Sequence, residues 1–298
     1  MELTNLTKKR FVSDFKLPID ILEEPYFSQK IEALDKPFDA KRKYQLLIDA
    51  IDELGSEHNF FSEGNKIIRN IQDSIKETSG YKKLEKNTLS EMSKFIMDTK
   101  MRIDFSKNLY IEPNLDKTFI SIDLVKANFN AFKYMNIFDY TSYEELLEKF
   151  TDIPYFKESK QMRQVIFGQL LPKKQPIIEE FNICNLFSNL SLSNTDTILM
   201  NNDELIFEVS ADFNEEDIIN QINLPVPTRV EKFTLKGIKD KKDKLYFIKD
   251  FGDKKELKKV PKLYYVQAYK KMMNKNITED DLVFFYEGNA VKFLESVF

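Results

Sequence analysis

Chemistry in this chain has to come from carboxylates, lysines and arginines. The only histidine is His58, in the loop-like stretch GSEHNFF, and the only cysteine is Cys184. A histidine-based zinc site and a Ser-His-Asp triad are therefore close to excluded. The acids that stand out sit in ILMNNDELIFEV, residues 198–209, where Asp203 and Glu204 lie at the bend of an otherwise apolar ribbon. One reading is plain turn chemistry, with Asn201, Asn202 and Asp203 supplying the positive or bridging backbone angles of a tight hairpin. The other starts from Asp123, which ends a second apolar run, TFISID. If those strands are neighbours, the carboxylates of Asp123 and Asp203 face each other across one strand spacing, roughly 5 Å. That geometry suits two Mg²⁺ or Mn²⁺ ions about 3.5–4 Å apart, as in-line phosphoryl transfer requires. Asp123 and Asp203 are then the expected metal ligands, and Glu204 either completes the set or orients the hairpin.

Between the two acids lies a cationic segment, SKQMRQVIFGQLL (159–171), in which Lys160, Arg163 and Phe167 fall at helical spacing on one face. A lysine and an arginine on that face suit a triphosphate, and an aromatic residue two turns on suits a base. An ordinary amphipathic helix with Phe167 in the core explains the same pattern. Lys126, Lys173 and Lys174 lie near these motifs, either facing phosphate or simply solvated.

The elements that must position these groups follow from periodicity. Residues 1–40, broken by Pro18, Pro25 and Pro37, read as an irregular arm with short helical pieces. Helices are expected over 41–54 (stopping at Gly55), 65–77 and 89–103, the last opened by Asn87-Thr88. A strand at 118–123 leads into the helical KANFNAFKYMN; helices at 143–150, 159–171 and 175–192 precede the acidic hairpin, and EEDIINQI follows it. VEKFTLKGI and KLYFIKDF read as strands, PKLYYVQAYKKMMN as a helix and TEDDLVFFYEGNAVKFLESVF as a final helical pair. The order implies an α+β fold with helices on one face of an antiparallel sheet. Three regions are expected: a helical N-terminal region (1–105), a sheet-bearing core (106–228) with an insertion at about 150–190, and a basic C-terminal extension (229–298).

The motifs resemble those of family A DNA polymerases. NNDELIFEV is similar to that family's motif C, with Asn202 where a histidine usually stands and Asp203 and Glu204 matching. FISIDLVKANFNAF resembles motif A, with Asp123 as its metal-binding aspartate. RQVIFG resembles the core of motif B through Arg163, Phe167 and Gly168. The match spans roughly residues 115–225 in the order A, B, C. It implies a palm-type sheet, a thumb-like helical N-terminal region and reduced fingers. It also implies Asp123, Asp203 and Glu204 as catalytic acids, and Lys160, Arg163, Phe167 and Asn128 at the nucleotide. Departures are clear. Asn128 replaces the acidic residue five positions after the motif A aspartate, Ser159 and Leu171 replace motif B residues, and only about 35 residues separate Gly168 from Asp203. A shrunken fingers region and a lost acidic sugar gate are similar to the small family A-derived primases of staphylococcal cassette chromosome elements. That resemblance implies a DNA primase acting on a single-stranded DNA template with nucleoside triphosphates, a small companion protein and a replicative helicase.

Composition agrees without deciding. The Lys-, Asn- and Ile-rich usage looks like AT-rich coding, which suits a mobile genetic element. A single cysteine suits a reducing, cytoplasmic setting, and no apolar run is long enough for a membrane span. The net charge of −4 argues against unaided coating of nucleic acid, although basic residues exceed acidic ones by roughly ten between Arg229 and Lys275. That strip is either a charged hairpin edge or a phosphate-facing surface. Two rivals to a nucleotidyltransferase remain. One is a catalytically inactive, polymerase-derived replication scaffold or single-stranded DNA-binding protein; the other is a metal-dependent nuclease using the same acids.

Overall fold

The apolar run Thr118–Leu124 (β1) is the spine of a six-stranded antiparallel sheet in a computed structural model that describes residues 3–101, 108–190 and 197–298. The remaining strands of this sheet are β2 (Thr197–Met200), β3 (Glu204–Val209), β4 (Thr228–Lys239), β5 (Leu245–Asp250) and β6 (Lys255–Lys258), in the order β2-β3-β1-β4-β5-β6. A buried strand flanked on both sides needs apolar residues on both faces, and TFISIDL supplies them. Ile120, Ile122 and Leu124 meet Leu205 and Phe207 on one face, beneath Ile183 and Leu186. Phe119 meets Ile206, Phe233 and Phe247 on the other, closed by Leu109.

The helices are α1 (Asn5–Asp14), α2 (Tyr26–Ala33), α3 (Asp35–Phe38), α4 (Ala40–Leu54), α5 (Glu57–Glu77), α6 (Ser79–Lys86) and α7 (Ser90–Lys100) before the sheet. After β1 come α8 (Ala127–Tyr134), α9 (Tyr143–Glu148), α10 (Pro154–Glu158), α11 (Lys160–Gly168) and α12 (Gln175–Asn189); α13 (Glu215–Ile219) follows β3 and α14 (Tyr265–Met272) follows β6. The fold is thus mixed α+β with an antiparallel sheet.

Several expectations are corrected. The short helical pieces expected over 1–40 form as α1–α3, but the described residues 3–40 are no arm: Phe11, Phe27 and Leu34 are fully buried in the helical core. Helix α5 starts at Glu57, because the Ser56 hydroxyl caps it by accepting from the Asn59 amide at 3.1 Å. His58 is therefore an exposed residue of a helix's first turn. The last segment is not a helical pair. Val283–Tyr286 (β7) and Asn289–Lys292 (β8) form a hairpin whose two-residue turn, Glu287 and Gly288, takes φ of 47° and 85°. Both angles are positive, as a primed turn demands, and glycine accepts this without a Cβ penalty.

The three-region division fares unevenly. Its first boundary, at 105/106, lies outside the described residues, as do the last residues of the expected helices at 89–103 and 175–192. Residues 229–298 are no appendage, since β4 pairs with β1 over that strand's full length and β5 and β6 extend the sheet. The helices after β1 share their core with the N-terminal ones: Phe129, Tyr143, Phe156 and Phe167 pack with Phe60, Ile71 and Leu84. Hydrogen bonds fasten α11 and the turn after it to that layer, from Gln72 Nε2 to the Ile166 carbonyl (3.1 Å) and from the Tyr81 hydroxyl to the Leu170 carbonyl (3.0 Å).

A candidate active site at the end of the central strand

Strand β1 stops because Lys126 turns left-handed at φ 47° and α8 begins directly after it. That places Asp123 at a strand end. Beside it, Met200 pairs with Leu205, and the Asn201 amide donates to the Glu204 carbonyl at 2.8 Å, which closes the acidic hairpin. None of Asn201, Asn202 and Asp203 has positive φ, so the positive-angle form of the turn reading does not hold for these residues. The bend is tied to β1 instead: the Leu124 amide donates to the Asp203 carbonyl at 2.8 Å, and Asp123 is directly opposite Glu204. The register thus brings the three acids together.

Their environments differ. Burial pushes the Asp123 carboxyl up to about 6; Asp203 and Glu204 add to this, and the Arg229 guanidinium opposes it. Arg229 Nη2 lies 3.1 Å from Asp123 Oδ2 and its Nε 3.2 Å from Glu231. Asp203 is also held above its ordinary value, by desolvation and by Glu204. Glu204 goes the other way. Burial raises it, but Lys249 Nζ at 2.9 Å and the Ser121 hydroxyl at 2.7 Å prevail and leave it below the usual carboxylate range. Both contacts fall on Oε1, which ties Glu204 to the sheet and fits the hairpin-orienting role.

Asp123 and Asp203 line a cleft of about 330 Å³ whose opposite wall carries Lys160, Arg163 and Asn128. Lys160 opens α11 directly after its cap, Ser159, whose hydroxyl accepts from the Met162 amide at 3.0 Å. Arg163 follows one turn on. Its Nε is buried without a hydrogen-bond partner, its guanidinium lies 5.7 Å from the Tyr143 ring centroid, and burial lowers its pKa. Asn128 braces this wall by donating through Nδ2 to the Arg163 carbonyl at 3.4 Å. Phe167 is not at the cleft. It shares the helix face of Lys160, but two turns further along α8 covers it. It is fully buried, with Phe132 at 5.5 Å and Phe129 at 5.8 Å between ring centroids. No face of that ring is open to a base.

Sequence reasoning did not single out three residues here. Glu179, on α12, lines the same cleft, and burial together with Asp203 pushes it up to about 7 against the opposing hydrogen bond from Gln175. Arg229 and Lys249 counter Asp123 and Glu204. Their signal was cross-strand register, hidden while β4 and β5 were assigned to a separate extension. Lys126 is paired with Glu144, and Lys174 donates to the carbonyls of Leu84, Glu85 and Asn87; both are structural contacts.

The donor set for a metal is two carboxylates, Asp123 and Asp203, with hard oxygen ligands and mutual repulsion that a cation would relieve. Among the described residues no group of three or more acids, histidines or cysteines is close enough to enclose an ion. Mg²⁺ commonly uses one or two protein carboxylates and takes its remaining ligands from substrate phosphates and water, so the pair fits that mode. No protein-family model, curated protein or solved structure matches the chain.

Proposed function

We propose that this protein is a nucleotidyltransferase that copies single-stranded DNA, most simply a DNA primase with a palm-like sheet. The observation that carries the reading is the cleft itself: three carboxylates of raised pKa, Asp123, Asp203 and Glu179, line it together with a lysine and an arginine whose Nε has no protein partner. A nucleoside triphosphate is complementary to both walls. Arg163 and Lys160 would bind its phosphates, Arg163 in the planar, charge-assisted fashion that suits phosphate oxygens. A hydroxyl oxygen forms the new bond to the α-phosphorus, the bond to the pyrophosphate oxygen breaks, and the hydroxyl proton is released. Mg²⁺ or Mn²⁺ held by Asp123 and Asp203 would neutralise phosphate charge and lower the hydroxyl's pKa. Lys249 and Ser121 fix Glu204, and with it the bend that presents Asp203.

One observation favours the rival, an inactive scaffold. Arg229 already occupies one Asp123 oxygen, and a protein cation can keep an acid in place where no metal is used. The pair is exposed on the arginine side, however, and solvated ion pairs contribute about 0–1 kcal/mol, so incoming substrate could displace it at little cost.

The test is synthesis on single-stranded DNA without added primer, with Mg²⁺ or Mn²⁺ and labelled ribo- or deoxyribonucleotides, comparing the native chain with Asp123→Ala and Asp203→Ala. Short products that vanish in both variants are expected. No product, even with a primer supplied, overturns the enzyme reading; degradation of the strand would identify a nuclease instead.

A further inference from the structure

A cationic groove lies on the side of α11 away from the acids, linked to the cleft through Lys16, which bonds Gln161 beside Lys160. About 770 Å³ in volume, it lies between the turns around α1–α3 and the β5–β6 hairpin with α14, and is lined by five lysines against two acids. Its aromatic side is Phe38 and Tyr265, whose ring centroids are 5.7 Å apart. Lys16 belongs both to this groove and to a second hollow of about 680 Å³, where Lys9, Lys262 and the exposed Phe285 continue the surface. Burial, Lys160 and Lys262 all lower the pKa of Lys16, with Asp14 opposing, so these three cations share one field. Lys36 and Lys262 are exposed and make no ion pair among the described residues.

Such a positive strip on a chain with a net charge of −4 is a local feature that attracts a polyanion despite the overall charge. Lysines interleaved with aromatic rings suit a single strand, whose phosphates take the cations while its unpaired bases stack. A duplex keeps its base faces covered.

We propose that this groove and the adjoining hollow, which share Lys16, carry single-stranded DNA toward the cleft, with Lys36 and Lys16 of the groove and Lys262 of the hollow on the phosphates and Phe38 and Tyr265 beside the bases. Naming that strand the template rests on the nucleotidyl-transfer reading; the binding does not.

Anisotropy of a labelled oligo-dT strand across a salt series tests the groove, using Lys36→Glu with Lys262→Glu. A control variant, Lys82→Glu with Lys83→Glu on α6, makes the same change in net charge outside the groove. The groove variant should lose roughly tenfold in affinity at low salt and reduce the log–log salt slope by about 1.4, corresponding to two single-strand phosphate contacts. The control should stay within about twofold of the native protein. Equal losses in both variants, or none in either, overturn the proposal, as does displacement of the strand by poly-aspartate as effective as that by unlabelled oligo-dT. Asp123→Ala separates this from the function proposed above. It should bind the strand normally, so lost synthesis with retained groove-dependent binding speaks only to the cleft. Synthesis that survives the groove variant at every template concentration sinks the groove alone.

Discussion

Asp123→Asn should make the protein more stable at neutral pH. In the native chain the folded state holds the Asp123 carboxyl at about 6, against an ordinary 3.8, through burial and the nearby Asp203 and Glu204, with Arg229 opposing. At about 1.4 kcal/mol per tenfold change in proton affinity, that rise sets a ceiling of ~3 kcal/mol on the destabilisation. The side chain keeps 30% of its exposure, and solvent screening trims the expected gain to about 1–2 kcal/mol. The sign follows from proton binding. The folded carboxyl takes up its proton more tightly than the unfolded one, so native stability falls as pH rises from about 4 to 6 and stays lower above that. An asparagine has no such dependence.

Urea denaturation of both proteins at about pH 7.5 and about pH 3.5 measures the difference, since other titrating groups act similarly in each. The variant should lead at the higher pH, and the gap should nearly close at the lower one, where the carboxyl is mostly protonated in both states. Added Mg²⁺ should stabilise the native chain and leave the variant unmoved, because a ligand that binds only the folded state shifts the equilibrium toward it. A variant less stable than the native chain at neutral pH would refute the reasoning. Asp123 would then be chiefly the partner of Arg229, and the scaffold reading would gain.

Four further substitutions separate structure from chemistry. Phe167→Ala should cost about 3–5 kcal/mol in chemical denaturation, the usual loss for a fully buried ring, whereas a base-stacking residue would cost little fold stability. Glu204→Gln leaves Lys249, whose side chain is 6% exposed, without its counter-charge; about 2–3 kcal/mol should be lost at neutral pH, and a neutral result would show that water reaches the ammonium. Gly80→Ala should destabilise by about 1–3 kcal/mol, because its Cβ would lie 2.5 Å from the Asn136 carbonyl oxygen and 2.8 Å from Ile137 Cα. Gly168→Ala, which meets open space, should be neutral or gain up to about 1 kcal/mol of helix propensity, with melting temperature as the readout for both.

What was legible in the sequence was what short-range patterning encodes. The run TFISID, the apolar stretches on both sides of NNDE and the three-and-four spacing of KQMRQVIF are each decided within a few residues, and β1, β3 and α11 form where those patterns lie. Gly55 ends α4 at φ 79° for the same local reason. The C-terminal hairpin failed as a helix pair although its Glu-Gly turn between VFFY and NAVKF was readable; a helical reading of the acidic start, TEDD, was carried too far. That start is only a four-residue 3-10 turn, Glu279–Leu282.

What stayed hidden was pairing between segments far apart in the chain. Nothing near Asp123 announces that Arg229, 106 residues away, will be its cross-strand neighbour, or that Lys249 will reach Glu204 across the sheet. Yet those partners decide which acid is free. Glu204 looked as reactive as Asp203 when the two were adjacent letters; Glu204 opens β3, where its carboxylate meets an ammonium and a hydroxyl, while Asp203 stays in the bend at the cleft. Phe167 shows the converse for a helix. Its face was placed correctly relative to Lys160, but position along the axis mattered as much, because α8 covers the second turn of that face and leaves the first to the cleft. Residue type and periodicity select the candidates; the neighbour that arrives from elsewhere in the chain determines which of them can still bind a ligand.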